Sequence, residues 1–413
     1  MPHVVIVGAG FGGLEAAKAL ASSQAEVIII DCHNHHSFQP LLYQVATAAL
    51  SAADIAWPIR AMFRKRRNVR VVLARVEAID HKKKIVRTNS LSIHYDYLIV
   101  ATGATHFYFG HEEWERFAPG LKSLEDAARI RDRILMAFEQ AELAEDDSAL
   151  KELMTFVIVG GGPTGVEMAG AIAEMAQHSL CSDFRRIDPA AARIILLEAG
   201  PRILPSFPER LSRYAMKALR HMGVEARVSA RVTVCDARGV IAGKERINAS
   251  TVIWAAGVTA SPAADWLGAG RDKNGRVIVS PDLSLPGKAN VFVIGDTASV
   301  IDSNTGAPVP GMAPGAKQMG RFAGKLIAAE INGRKTRPTF RYRNYGELAA
   351  IGRKAAIVKI GRLELTGFAG WLVWAVAHIY FLIGVRNRFV VAFNWLWSYL
   401  TYQRGARLIT PEP

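Results

Sequence analysis

An α/β protein with two separate parallel sheets, followed by a helical tail of different character, is the fold class this 413-residue sequence predicts. Three observations carry that prediction. Short apolar runs of strand length alternate with helix-patterned segments from residue 1 to about 330, as parallel sheets with crossover helices require. The same glycine-rich turn occurs twice, about 150 residues apart. Leu365 to Val385 then carry no formally charged side chain, and tryptophan concentrates from there on.

The first element is the apolar run Val4-Val5-Ile6-Val7, which enters Gly8-Ala9-Gly10-Phe11-Gly12-Gly13 and then a small-residue helix. The second copy is Phe156-Val157-Ile158-Val159 leading into Gly160-Gly161-Gly162-Pro163-Thr164-Gly165. In such a turn the first glycine allows the bend and the second lets the backbone approach a pyrophosphate. The third lets helix pack on strand, and the helix start offers N–H groups and partial positive charge to phosphates. Val27-Ile28-Ile29-Ile30-Asp31 is a buried-type strand ending in a carboxylate at the offset suited to a ribose hydroxyl. Glu198, ending Ile194-Ile195-Leu196-Leu197, comes later than the usual offset, the stretch around Cys181–Arg186 being absorbed as a longer helix end and loop. A carboxylate at Glu198 accepts from a free 2′-OH and repels a 2′-phosphate, which favours NADH over NADPH; Arg202 nearby weakens that preference. Two such turns, each with its acid, predict two Rossmann-like dinucleotide-binding domains, and the natural pair of ligands is a flavin and a nicotinamide.

The remaining elements follow in order. Tyr95 to Gly103 reads as a strand opening onto a small-residue turn, and Thr251 to Gly257 repeats that pattern after the second fingerprint. Both are read as crossover points where the chain leaves one nucleotide-binding fold. Leu124 to Leu153 is charged and helical and connects into the inserted second domain. Val291 to Asp296 is a further strand ending in Gly-Asp, followed by a helix from about Gly315 to Ile331. The polar run Asn332 to Pro338 marks the next boundary. The expected domains are 1–115 with 265–335, then 116–264, then a C-terminal region 336–413.

In the tail, Trp371, Trp374, Trp395 and Trp397 are four of the eight tryptophans, set beside Arg386 and Arg388. Trp and Tyr with flanking Arg favour a membrane–water interface. Length alone would let 365–385 span a bilayer, but Gly367, Gly370 and His378 interrupt it and the second stretch is too short to return. The tail is therefore read as a membrane-anchoring helical segment lying in the membrane surface, with a true span or a buried helix as alternatives.

Composition bounds the rest. Hydrophobic residues make up 50% of the chain and net charge is +14, with a pI near 9.8, which implies an anionic partner. Cys32, Cys181 and Cys235 form no even disulfide framework and no C-x-x-C, so a reducing compartment is expected. The start, Met1-Pro2-His3-Val4, shows no signal-peptide pattern. The basic runs Arg64–Arg67 and His81–Lys84 lack interleaved aromatics and read as solvated faces, the second as a hairpin turn, so no nucleic acid is expected. His33, His35 and His36 make no spaced metal set with Cys32, and no metal is expected.

Several segments together resemble the type II, non-proton-pumping NADH:quinone oxidoreductase family within the two-dinucleotide flavoprotein superfamily. They are Phe38 to Thr47, Gly162 to Glu167, Gly295-Asp296, Ala313 to Gln318 and the Trp/Arg-rich C-terminus. The segment 313–318 departs from the family's A-Q-x-A-x-Q form, Pro314 replacing the first Gln while Gln318 keeps the second. Residues 38–47 contain no cysteine, which removes the thiol relay of a disulfide reductase and leaves a direct flavin-to-acceptor route.

The resemblance implies non-covalent FAD at Gly8, Gly10, Gly12, Gly13, Asp31, Thr102, Gly103, Asp296, Ala316 and Lys317. It implies NADH at Gly160, Gly162, Thr164, Gly165, Glu198, Ala256 and Gly257. Glu167 and Gln318 are the implied catalytic residues, and Gln44, Pro314, Gln318 and His378 the implied quinone contacts. Asp296 would meet the flavin ribityl chain, with a helix N-cap as its plainer role, and the helix start near Gly315 would stabilise negative charge on the flavin. The implied enzyme is peripheral on the cytoplasmic face of the cell membrane, with a membrane quinone and an anionic phospholipid surface as partners; a homodimer is also allowed. Two rivals stay open: an NAD(P)H-dependent reductase of a ferredoxin-like protein, and a redox-sensing flavoprotein with slow turnover.

Overall fold

The computed structural model describes residues 1–410 and divides the chain into two compact units. One comprises Met1–Ser37, Trp57–Thr105 and Val258–Tyr345; the other comprises Phe38–Ala56, His106–Gly257 and the chain from Gly346 onward.

The first unit is built on a six-stranded sheet. Its order is Ser284–Leu285, Lys288–Val293, Tyr97–Val100, His3–Val7, Glu26–Asp31 and Val69–Leu73. All neighbours are parallel except the short Ser284–Leu285 edge. Val4, Val5, Ile6, Ile29, Leu98, Ile99 and Phe292 are completely buried, as expected where both faces of a parallel sheet are covered. One cover is the helix pair Phe11–Leu20 and Ala313–Ile331, which meet through glycines. A Cβ on Gly320 would stand 2.0 Å from the Gly12 carbonyl oxygen, and one on Gly324 2.7 Å from that of Ala16. The run His81–Lys84 is the turn of an antiparallel pair, Val76–Asp80 with Ile85–Thr88.

The second unit repeats the plan with four parallel strands, ordered Val224–Arg227, Arg193–Leu197, Thr155–Val159 and Thr251–Trp254. The helix Pro163–Glu174 leaves its glycine turn and then widens: Leu180 N–H donates to the Met175 carbonyl five residues back, over Met175–Ser179. That extension and the loop behind it account for the late position of Glu198. A three-stranded antiparallel meander, Glu347–Gly352, Ala355–Ile360 and Leu363–Thr366, packs on this helix, where a Cβ on Gly170 would fall 1.7 Å from the Ile351 carbonyl oxygen.

Two helices follow, Gly367–Phe381 and Val385–Thr401. Their inner faces are packed, with Trp374 and Leu382 1% exposed and Val391 fully buried. Their bonds to residues 38–56 explain why both segments share a unit: Trp395 Nε1 donates to Gln44 Oε1 at 2.7 Å, Asn387 Nδ2 donates to the Ala53 and Ala56 carbonyls, and Arg404 donates to the Thr47 carbonyl at 2.8 Å. Their outer faces are apolar and open: Phe368, Leu372, Val376 and Tyr380 recur every four residues on one, and Phe389, Phe393, Leu396, Trp397 and Leu400 line the other, all at least half exposed. Among the described residues no helix is long and apolar enough to cross a membrane.

Candidate active site

The two glycine turns are the same device built twice. In the first, Gly8 takes φ +100°, and its N–H donates to the Ile30 carbonyl at 2.8 Å. Ala9 N–H donates to Asp31 Oδ2 at 2.6 Å, and a Cβ on Gly13 would lie 1.8 Å from the Gly8 carbonyl oxygen. In the second, Gly160 takes φ +112° and donates to the Leu197 carbonyl at 2.7 Å; Gly161 N–H donates to Glu198 Oε2 at 2.6 Å. A Cβ on Gly165 would again lie 1.8 Å from the Gly160 carbonyl oxygen. Each acid thus closes its turn by accepting the amide that follows the first glycine.

The crossover points close both cradles from the other side. A Cβ on Gly8 would meet the Ala101 carbonyl oxygen at 2.4 Å, and one on Gly160 would meet Ala255 and Ala256 backbone atoms at 2.7 Å. Thr102 and Gly103 are held by Ser261 and Thr297: the Thr102 and Ser261 hydroxyls lie 2.5 Å apart, and Gly103 N–H donates to Thr297 Oγ1 at 2.7 Å. Gly257 takes φ +76° against Phe109 and the Phe107 carbonyl. A Cβ on Gly10 or on Gly162, by contrast, meets nothing within 4 Å. The middle glycine of each turn therefore faces room for a ligand, and the donor groups present fit a pyrophosphate there.

Around the first cradle, Asp296 lies beside Gly311, and Gly295 approaches Ala316 in the first turn of Ala313–Ile331. Lys317 Nζ sits 5.0 Å from the Phe11 ring centre. The Gln318 amide is committed within its own unit: Nε2 donates to the Arg343 carbonyl and Oε1 accepts from Arg343 N–H, both at 2.9 Å. It straps the 343 segment to the helix. Asp31, Cys32 and His33 place polar atoms within 4.8 Å of one another, but Asp31 already accepts the Ala9 and His33 amides.

The second unit also holds a cavity of about 90 Å³. Tyr43, Gln44, Glu167, Trp374, Trp395 and Arg404 are among its walls. The Gln44 amide is oriented at both ends, accepting from Trp395 and donating to the Tyr43 hydroxyl at 3.0 Å. Glu167 accepts the Ala350 N–H at 3.2 Å, and burial pushes its carboxyl up to about 8. At neutral pH it is a protonated acid facing a cavity. Burial likewise holds the Tyr43 hydroxyl well above its usual range. His378 lies outside this lining: its ring stacks on Trp374 at 4.3 Å, Nδ1 bonds the Trp374 carbonyl at 2.7 Å, and burial lowers it to about 4. It is a neutral packing histidine.

Glu174, Trp395 and Arg404 also line the cavity, and sequence reasoning missed them there. Only the seven-residue spacing from Glu167 to Glu174, two turns on one helix face, was there to be read.

Comparison with known proteins agrees with this geometry. The pyridine nucleotide-disulphide oxidoreductase family model matches residues 2–320, and the NDH2 C-terminal domain model matches 345–403. A type II NADH:quinone oxidoreductase of Mycobacterium tuberculosis is 43% identical, covering 99% of this chain and 90% of that protein. The chain belongs to the type II NADH:quinone oxidoreductase family. A Staphylococcus aureus protein of that description is 31% identical over 84% of this chain and 87% of its own length. The structure of NDH2 from Plasmodium falciparum in complex with NADH superposes with a TM-score of 0.89 at 18% identity, covering 99% of this chain and all of that one, which supports the fold. As a type II NADH:quinone oxidoreductase the chain uses FAD and NADH, and the expected α/β architecture with two dinucleotide-binding folds is present.

Proposed function

We propose that the first unit holds FAD through Gly8, Gly10, Gly12, Gly13, Asp31, Thr102, Gly103, Asp296, Ala316 and Lys317. The second unit binds NADH through Gly160, Gly162, Thr164, Gly165, Glu198, Ala256 and Gly257. Quinone is reduced at the cavity of the second unit, against Gln44 and Glu167. Bound FAD supplies the chemistry that accepts hydride from NADH and returns electrons two at a time to a quinone. Balanced, NADH, one proton and quinone give NAD⁺ and quinol, so each turnover takes a proton from water.

The protein's own groups do the rest. Glu198 uses both carboxylate oxygens on backbone amides, Gly161 and Gly200, each at 2.6 Å, which fixes it where a ribose hydroxyl approaches and a 2′-phosphate is repelled. Gln44, held by Trp395 and Tyr43, presents an amide to a quinone carbonyl. The Glu167 carboxyl, neutral at pH 7, supplies a proton to the reduced oxygen. Gln318 acts by fixing the Arg343 segment beside the helix that begins at Ala313, and Pro314 shapes that first turn. The Glu167 carboxyl and the oriented Gln44 amide lining one cavity are the observation that carries the acceptor assignment.

The open apolar faces of Gly367–Phe381 and Val385–Thr401 rest on the membrane surface, at the cytoplasmic face, with exposed Arg362 and Arg386 meeting anionic headgroups. Anaerobic reduction by NADH followed by mixing with a short-chain quinone tests the reading. Glu167→Gln is expected to slow reoxidation by quinone at least tenfold while reduction by NADH keeps its rate. Equal rates of reoxidation in both proteins would remove the cavity from the acceptor site.

A further inference from the structure

We infer that Glu174 is a proton relay for the quinone cavity, taking protons from surface water and passing them through cavity water to Glu167. The inference rests on the acceptor assignment above and adds the route by which the acid is recharged. Glu167 and Glu174 are seven residues apart on the helix Pro163–Glu174, on one face and about 10.5 Å apart along its axis. Both line the same cavity, whose volume of about 90 Å³ holds a short file of waters once quinol has left. Trp371, Trp374, Trp395 and Tyr399 also line it, from the two helices whose outer faces are apolar. With those helices seated on lipid, that side offers no water, and the proton must enter elsewhere.

Glu174 also lines the cavity, and its side chain is 22% exposed, so it can meet water outside. It is held in place from several elements. The Arg353 N–H donates to Oε1, and the Arg404 guanidinium lies 3.5 Å from Oε2. Tyr43 faces it from the segment 42–46, Glu167 lies on its own helix, and exposed His178 follows in the widened turn, its ring tilted against that of Tyr402 at 4.5 Å. Burial raises the carboxyl while Arg404, Arg353 and His178 pull it down, leaving it above its usual range. A carboxyl that reaches both outside water and the cavity can exchange a proton with either. The balance is one proton in at Glu174, one across the water file to the Glu167 carboxylate, and one from Glu167 to the quinone oxygen.

The test uses the flavin-loaded full chain with two acceptors: a short-chain benzoquinone, and ferricyanide, which accepts electrons without protons. Glu174→Gln is expected to slow NADH:quinone turnover about tenfold, more at alkaline pH, while NADH:ferricyanide turnover keeps its rate. Glu174→Asp restores most of the quinone rate, and a small weak acid added at millimolar concentration rescues Glu174→Gln, which a structural defect would not allow. Because Glu174→Gln leaves Arg404 without its carboxylate, Glu174→Gln combined with Arg404→Gln carries the same readouts with no buried charge unpaired. A wild-type quinone rate in both variants, or equal losses with both acceptors and no rescue, overturns the relay. If Glu167→Gln slows quinone turnover and Glu174→Gln does not, the relay alone falls. If neither does, the acceptor assignment falls and takes the relay with it.

Discussion

Replacing Glu167 by glutamine is expected to make the protein more stable, and to do so in a pH-dependent way. The Glu167 carboxyl is raised from 4.5 to about 8, because burial disfavours its charge more than the single Ala350 amide favours it. In the unfolded chain it ionises near 4.5, so between pH 4.5 and 8 the unfolded state releases a proton that the folded state keeps. The folded chain carries no penalty from this group below pH 4.5. The penalty grows with pH until the folded group also ionises, reaching about 5 kcal/mol above pH 8. Glutamine keeps an acceptor for the Ala350 N–H and has nothing to ionise. For unfolding of a chain this long, about 5 kcal/mol corresponds to roughly 5 °C in midpoint. Thermal unfolding followed by tryptophan fluorescence should show Glu167→Gln melting about 5 °C higher than the parent at pH 9 and within about 1 °C of it at pH 5. An equal shift at both pH values, or a destabilised variant at pH 9, would refute the claim that the carboxyl is held neutral by its surroundings.

Other substitutions separate the parts of the site. Gly10→Ala and Gly162→Ala should both fold, since neither Cβ meets protein within 4 Å; the first should lower bound flavin and the second raise the KM for NADH with flavin content intact. Gly13→Ala, whose Cβ would lie 1.8 Å from a carbonyl oxygen, should instead fail to accumulate as folded protein on expression. NADH should be preferred to NADPH, and Glu198→Gln should narrow the gap while raising the KM for NADH about tenfold, because the glutamine NH₂ meets an amide donor where an oxygen accepted one. Gln318→Leu should lose the two Arg343 bonds, about 1–3 kcal/mol, and slow flavin reoxidation by quinone while reduction by NADH stays intact in rapid-mixing experiments. Phe389→Glu with Phe393→Glu should release the protein from phosphatidylglycerol vesicles in flotation without changing NADH:ferricyanide activity; unchanged flotation would count against the apolar faces as the anchor.

What could be read in advance was local. Both glycine turns, Asp31 and Glu198 are legible because a few consecutive residues dictate φ, strand end and helix start, and one turn repeats the other down to its amide-to-acid bond. The turn at His81–Lys84 and the helix starting near Gly315 are local in the same sense. The cavity was not legible, because its walls come from residues 43–49, 167–174, 350–353 and 371–404, and only tertiary packing brings these together. His378 and Gln318 show the same limit from the other side. A histidine in an apolar stretch and a glutamine in a family motif both suggest chemistry, but the first packs on Trp374 and the second is tied to the backbone of Arg343. Arg404 was invisible because nothing near it in sequence announces a buried cation; its partners, Thr47 and Glu174, are far away along the chain.

The glycine contact between the first helix and the helix Ala313–Ile331 has a consequence for synthesis. The Gly12 carbonyl and the Ala16 backbone are covered by Gly320 and Gly324, so the opening turn of the chain lacks its neighbour until residue 324 has left the ribosome. At roughly 5–20 residues per second that is a wait on the order of 15–60 seconds. During it, an apolar strand and a bare helix flank stand exposed. Translation speed and chaperone supply should therefore govern the yield of flavin-loaded protein, and an early truncation should leave an aggregating fragment rather than a working half.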